Sequence, residues 1–223
     1  MQEKLVSLKR ADPSQPDQVL LLEHDPVYTI GRTPNQSSLR GASHLPHPVF
    51  PINRGGQATY HGPGQLMCYP ILDLRNYGQD LHRYLRWLEA LIIELLAGYD
   101  IEGTRRQGLT GVWVGNRQSG SDRQSGSGRQ SGSGRQSGRR LAVESPDRKI
   151  ASIGVGVRHW ITMHGFALNV GGDLSPFAHI VPCGIIDVTI TSMEKERGRP
   201  FSLIDVAADS EKLILRRIQD LRP

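Results

Sequence analysis

Between residues 116 and 140 the chain carries no apolar side chain. Within that stretch Arg-Gln-Ser-Gly recurs four times at a six-residue period, starting at Arg117, Arg123, Arg129 and Arg135. Such a tract buries nothing that would offset the entropy of ordering it, so residues 115–147 are expected to be a disordered low-complexity insertion. Its period is too short and too polar for a solenoid. A fold must therefore be built from the segments on either side. Gly111-Val112-Trp113-Val114 reads as a strand running into the tract, and Lys149 to Val155 as a strand resuming after it. The simplest geometry joining them is a hairpin with a lengthened turn, because insertions at exposed tips cost little.

The tract also explains the charge. Its six arginines against one acid, Asp122, account for the whole net charge of +5, and the other 198 residues are neutral in sum. The basic character is thus no sign of a nucleic-acid face on the folded part. An arginine-rich arm touching RNA or an acidic partner is one reading of the tract. A lengthened loop with no required role is the other, and it is preferred because no aromatic residue is interleaved for base stacking. No nucleic-acid partner is expected.

The remaining sequence is that of an α+β domain, with helices packed on a mixed β-sheet, and residues 1–223 read as a single domain holding the insertion. Apolar residues make up 37% of the chain, enough for a sizeable core. No apolar run approaches the roughly 18 residues that a membrane span needs, and no signal-like run follows Met1. Cys68 and Cys183 are too few for a disulfide framework, and no Cys/His cluster has metal-ligand spacing. The expectation is a reduced, cytoplasmic protein with no metal and no membrane partner.

Val19–Glu23 and Val27–Ile30 read as strands, residues 32–48 as a loop, and Val49–Asn53 and Leu66–Leu72 as strands around a glycine-rich turn. No helix is read in the residues before Val19, which include Pro13 and Pro16. Apolar residues at 81, 84, 85, 88, 91, 92, 95 and 96 give a helix ending at Gly98. Ile161–Val170 is a further strand, and a last helix starts near Ser202, with Asp205 completing a capping-box variant.

The densest chemistry lies in Arg54-Gly55-Gly56-Gln57-Ala58-Thr59-Tyr60-His61-Gly62-Pro63-Gly64-Gln65. Glycines let backbone approach a ligand and Arg54 can clamp an anion. The spacing fits neither a phosphate loop nor a dinucleotide fingerprint. A ligand-binding loop and a tight strand-to-strand turn are equally good readings, and His61 taken alone reads as a structural residue. Cys183, between Pro182 and Gly184, is presented on a turn. A lone cysteine is ordinarily inert and buried, which suits Cys68 in its apolar run. A thiol with a pKa of about 8.5 is only slightly ionised at neutral pH, and a nearby cation raises that fraction. Lys149 is either a solvated strand end or such a cation. His164-Gly165-Phe166-Ala167-Leu168-Asn169 reads as a core strand with one polar residue.

Together these blocks resemble the octanoyltransferases of lipoate biosynthesis, the LipB family. The block at Arg54–Gln65 is similar to that family's signature. The likeness continues in Leu109-Thr110-Gly111-Val112-Trp113, Lys149-Ile150-Ala151-Ser152-Ile153-Gly154, His164 to Asn169, and Pro182-Cys183-Gly184. The resemblance implies the fold of lipoate and biotin ligases. It also implies transfer of an octanoyl group from octanoyl-acyl carrier protein to a lysine of lipoyl domains, those of 2-oxoacid dehydrogenases and the glycine cleavage H protein. Cys183 and Lys149 match the family's catalytic dyad. The acyl-binding positions match Arg54, Gly55, Gly56, Gln57, Ala58, Thr59, Tyr60 and His61, then Ser152, Ile153 and Gly154, and Gly165, Phe166 and Ala167.

The residue types suit that chemistry. A thiolate exchanges with a thioester without ATP or another cofactor, and an amine then converts the acyl-enzyme to an amide. Backbone N–H groups near Gly184 or Gly154 are candidates for holding the oxyanion. A channel of small residues (Gly55, Gly56, Ile153, Gly154, Gly165, Ala167) suits the acyl chain, whose burial is worth roughly 5–6 kcal/mol at ~0.8 kcal/mol per carbon. Two other classes stand beside this one. An ATP-dependent lipoate or biotin ligase is the enzyme alternative, although the Gly-Arg-Gly-Arg of biotin ligases is absent and Arg197-Gly198-Arg199-Pro200 comes only after Cys183. The other is a non-catalytic module that binds lipoyl domains.

Overall fold

A computed structural model describes residues 1–33, 37–40, 44–115, 147–185 and 188–222. The Arg-Gln-Ser-Gly tract lies outside the described residues. The larger of two sheets runs β1 (Gln18–Leu22), β5 (Gln65–Ile71), β9 (Ile161–Asn169), β8 (Arg148–Arg158), β7 (Val112–Val114) and β6 (Gly103–Thr104), each antiparallel to its neighbour. A short β10 (Thr189–Ile190) pairs in parallel with the start of β8, so the sheet is mixed. A smaller sheet has the order β3 (Val49–Pro51), β2 (Val27–Ile30), β4 (Thr59–His61). The strands on either side of the low-complexity tract, β7 and β8, are antiparallel neighbours, as the hairpin reading required.

The helix α2 (Leu81–Ala97) forms where the 3.6-residue pattern puts it. Asp80 caps it by accepting from the N–H of Arg83, and Tyr84, Leu88, Ile92 and Leu96 are fully buried. With α4 (Leu203–Arg217), capped by Ser202 accepting from the Asp205 N–H, it covers one face of the large sheet. The main core lies between them, where Leu66, Cys68, Val112, Ala151, Phe166 and Leu168 meet Leu88, Ile92, Val206 and Ile214.

Besides the two-residue strands β6 and β10, which were not read, three parts of the chain depart from the sequence reading. A helix, α1 (Gln2–Ala11), precedes the first strand. Only Val6 and Lys9 of it are buried. Its anchor is tertiary: Val6 packs on Ile71, Ile161 and Met163, and Lys9 pairs with Asp17 at 2.7 Å. A short α3 (Met193–Arg197), capped by Ser192, is too brief to leave a periodic signal. Finally, residues 54–65 are not a tight turn between neighbouring strands. β3 and β5 belong to different sheets, and the glycine-rich block crosses between them and contributes β4.

Candidate active site

Strand alternation divides the large sheet into two faces. Phe166, Leu168, Cys68 and Leu66 point to the helices, whereas Met67, Tyr69 and Ala167 cluster with Leu20 and Leu22 on the other side. On that second face a cavity opens. Its walls are Ser152, Ile153 and Gly154 of β8, Gly165, Phe166 and Ala167 of β9, Met67 and Tyr69 of β5, Arg54, Thr59 and His61 from the glycine-rich block, and Cys183. Two chain segments more than a hundred residues apart in sequence thus meet over one sheet face.

Cys183 is set by its turn. Pro182–Gly184 forms a single 3-10 turn in which Cys183 adopts φ 55° and ψ 17°, a left-handed conformation that side-chain-bearing residues rarely take. The Cys183 N–H donates to Ala58 O at 2.9 Å, which pins the turn to the glycine-rich block. The thiol is half-buried and 3.8 Å from Ser152 Oγ. The N–H of Gly184 donates to Val181 O and that of Ile185 to Pro182 O. The donors around Gly184 are therefore committed within the turn, which corrects the expectation that they hold an oxyanion.

A bulge aims Lys149. Val112 pairs with Ala151 but Trp113 pairs with Lys149, so Ile150 is an extra residue in β8. Ile150 and Ala151 both enter the main core. Without the bulge, strict alternation would send Lys149 to the helix face with Ala151 and Ile153. The added residue turns it to the face of Ser152 and Gly154. Lys149 is 2% exposed; its Nζ donates to Thr110 O at 3.4 Å and stands 4.9 Å from the centre of the Trp113 ring. It is not among the residues that line the cavity.

The other expected binding residues divide into lining and frame. Arg54 lines the cavity, buried, with Nη2 donating to Thr29 O and Thr29 Oγ1 at 2.9 Å each. Among the described residues no carboxylate pairs with it. Burial lowers its pKa, an effect that Cys183 and Tyr69 partly offset. His61 contacts Thr29 Oγ1 and Gln65 Oε1 at 3.3 and 3.2 Å. Burial drives its pKa to about 3, so it is neutral. Gly55, Gly56, Gln57, Ala58 and Tyr60 do not line the cavity. The Gly55 N–H donates to Val155 O, Gly56 O accepts from Thr33 Oγ1, Gln57 packs on Gly184, and Ala58 and Tyr60 belong to the core of the small sheet. They hold the loop rather than form a channel. Gly165 also has a backbone reason: a Cβ there would stand 2.2 Å from Cys68 O.

Four lining residues were not read from sequence: Ile52, Met67, Tyr69 and His164. Met67 and Tyr69 alternate with the core residues Leu66 and Cys68 in a run that is apolar on both faces, so no pattern separates them. His164, taken as a polar residue in a core strand, has φ 58°, and burial together with Arg54 lowers its pKa to about 4.

Comparison with known proteins agrees with this architecture. The lipoyl protein ligase A/B catalytic domain matches residues 1–212, and the chain belongs to that family. Within it the chain is an acyltransferase, of the α+β fold that the family shares. An octanoyltransferase of Geobacter sp. (strain M21) is 43% identical over 92% of this chain and 83% of its own. One from Synechococcus elongatus is 44% identical over 86% of this chain and 70% of its own. Among solved structures, a bipartite lipoate protein ligase from Thermoplasma acidophilum shares the fold at TM-score 0.57, with 14% identity over 99% of this chain and 78% of its own. A lipoate-protein ligase A bound with ATP does so at 0.54, with 12% identity over 99% and 80%.

Proposed function

We propose that the chain moves an octanoyl group from octanoyl-acyl carrier protein to a lysine of a lipoyl domain, through a thioester on Cys183. What supports this reading is Cys183 in the wall of a cavity that Ile52, Met67, Tyr69, Ile153, Phe166 and Ala167 also line, with the cation Arg54, which no carboxylate among the described residues pairs, in the same wall. The other cysteine, Cys68, is fully buried and its thiol is pushed up by desolvation, so it takes no part.

In the first half-reaction the Cys183 thiolate attacks the donor carbonyl. A C–S bond forms to Cys183, the C–S bond to the carrier's thiol breaks, and that thiol leaves with a proton. In the second, the acceptor lysine amine attacks the Cys183 thioester. A C–N bond forms, the C–S bond breaks, and the proton shed by the nitrogen goes to the departing sulfur. Lys149, buried on the same strand as Ser152, is assigned the management of these protons. The 2-oxoacid dehydrogenase lipoyl domains and the glycine cleavage H protein supply acceptors.

Intact mass tests the scheme without ATP present. Mixing with octanoyl-acyl carrier protein adds one octanoyl group, and an apo lipoyl domain then removes it and gains the same mass. A protein that acylates the lipoyl domain only when given ATP and free octanoate is a ligase, and the relay through Cys183 is abandoned.

A further inference from the structure

The cavity beside Cys183 is not the only aliphatic space on this face. Ile52, Tyr69 and His164 line it and also line a second, larger groove behind. The first is narrow, with a cavity volume of about 40 Å³, whereas the second has about 980 Å³. The groove runs over Val19–Leu22 of β1 and Met163, beside the first residues of α1. An alkyl chain would find it as congenial as the cavity itself, yet Tyr69 stands between them.

Tyr69 is held from two sides. Its hydroxyl meets His24 Nε2 at 2.9 Å, and its ring packs edge-on to His164 with centroids 6.1 Å apart. Burial raises the pKa of Tyr69 and lowers those of His24 and His164, so the wall is formed by uncharged groups. The backbone separation of Tyr69 from Ser152 follows from register. Ser152, which touches Cys183, pairs with Ala167, and Ala167 pairs with Met67. Tyr69 is two residues beyond Met67 on the same strand. Two strand spacings across and one two-residue step along amount to about 12 Å. An extended eight-carbon acyl chain, with zig-zag bonds of about 1.5 Å, spans about 10 Å.

We infer that Tyr69, braced by His24 and His164, is the chain-length determinant: it ends the acyl cavity at eight carbons and bars longer chains from the groove behind. This rests on the acyl-transfer reading above. The test measures transfer to a lipoyl domain from octanoyl-, decanoyl- and dodecanoyl-acyl carrier protein. Wild type is expected to use dodecanoyl at least about tenfold less well than octanoyl, the scale of discrimination that a closed apolar pocket gives. Tyr69→Ala raises the dodecanoyl-to-octanoyl ratio by about tenfold or more, whereas Tyr69→Phe, which keeps the ring, retains the wild-type ratio. Tyr69→Leu replaces the alanine variant if the latter fails to unfold cooperatively. An unchanged ratio in a folded Ala or Leu variant overturns the inference, as does a wild type that uses both chains equally. A wild type that takes no acyl group from any of the three carriers brings down the transfer reading and this inference together, and that failure is visible in the wild-type arm alone.

Discussion

Ser152 Oγ stands 3.8 Å from Cys183 Sγ, joining the middle of β8 to a turn that follows β9. The hydroxyl is the only side-chain hydrogen-bonding partner of the thiol among the described residues. A bond of this kind is worth about 0.5–1.5 kcal/mol, so Ser152→Ala should slow acyl-enzyme formation a few-fold to about tenfold. Stopped-time mass spectrometry of the octanoyl-enzyme reads this directly. A larger loss would mean that Ser152 has a role in the chemistry beyond steadying the sulfur.

The two cysteines should respond oppositely. Cys183→Ser is expected to bring transfer to background and to leave no octanoyl adduct. Cys68→Ser places a hydroxyl in a fully buried site and should cost about 1–3 kcal/mol of stability while transfer continues. Thermal unfolding and adduct mass on both variants give the comparison. An adduct on Cys183→Ser would place the acyl group elsewhere.

Lys149 occupies a niche that depends on Gly111. A Cβ at Gly111 would stand 2.9 Å from Lys149 Cε and 2.7 Å from Ala151 O, and φ there is 131°. The buried Glu89, flanked by Arg86 and Arg105, accepts the Gly111 N–H and holds this loop in place. Lys149→Ala is expected to slow both half-reactions by about 10²–10⁴-fold. Gly111→Ala should reproduce much of that loss along with about 1–3 kcal/mol of strain. Gly108→Ala is the control, since φ 75° strains it similarly but nothing lies within 4 Å of its Cβ. Transfer rates and unfolding midpoints separate lost positioning from lost stability.

Acid should destabilise the fold through two histidines. Burial lowers His61 from 6.5 to about 3 and His164 to about 4. Between those values and 6.5 the unfolded chain binds more protons than the folded one, so stability falls as pH drops through that window and is fully present above it. The combined effect is on the order of a few kcal/mol. The unfolding midpoint should drop between pH 7 and pH 5, and His61→Gln should flatten the slope. A slope that His61→Gln leaves unaltered would show that other groups dominate.

Local pattern was enough for α2, for α4 with its Ser202 cap, and for the strands flanking the insertion, because each carries its own period or cap within a few residues. The family resemblance singled out the glycine-rich block and Cys183, and the fold brings Arg54, Thr59 and His61 of that block into one cavity with Cys183. α1 escaped because its stability comes from Val6 and Lys9 reaching distant partners rather than from an apolar stripe of its own.

The assembled chain alone decided how the site is arranged. One extra residue, Ile150, reverses the facing of Lys149, and a bulge of that kind exists only against its partner strand. Tyr69 and Met67 become cavity wall instead of core because the small sheet stands over their face of the large one. Cys183 is held in its left-handed turn by a carbonyl 125 residues earlier, that of Ala58. Contacts of such separation leave no mark in local sequence, since each is the product of packing two sheets whose strands are dispersed along the chain.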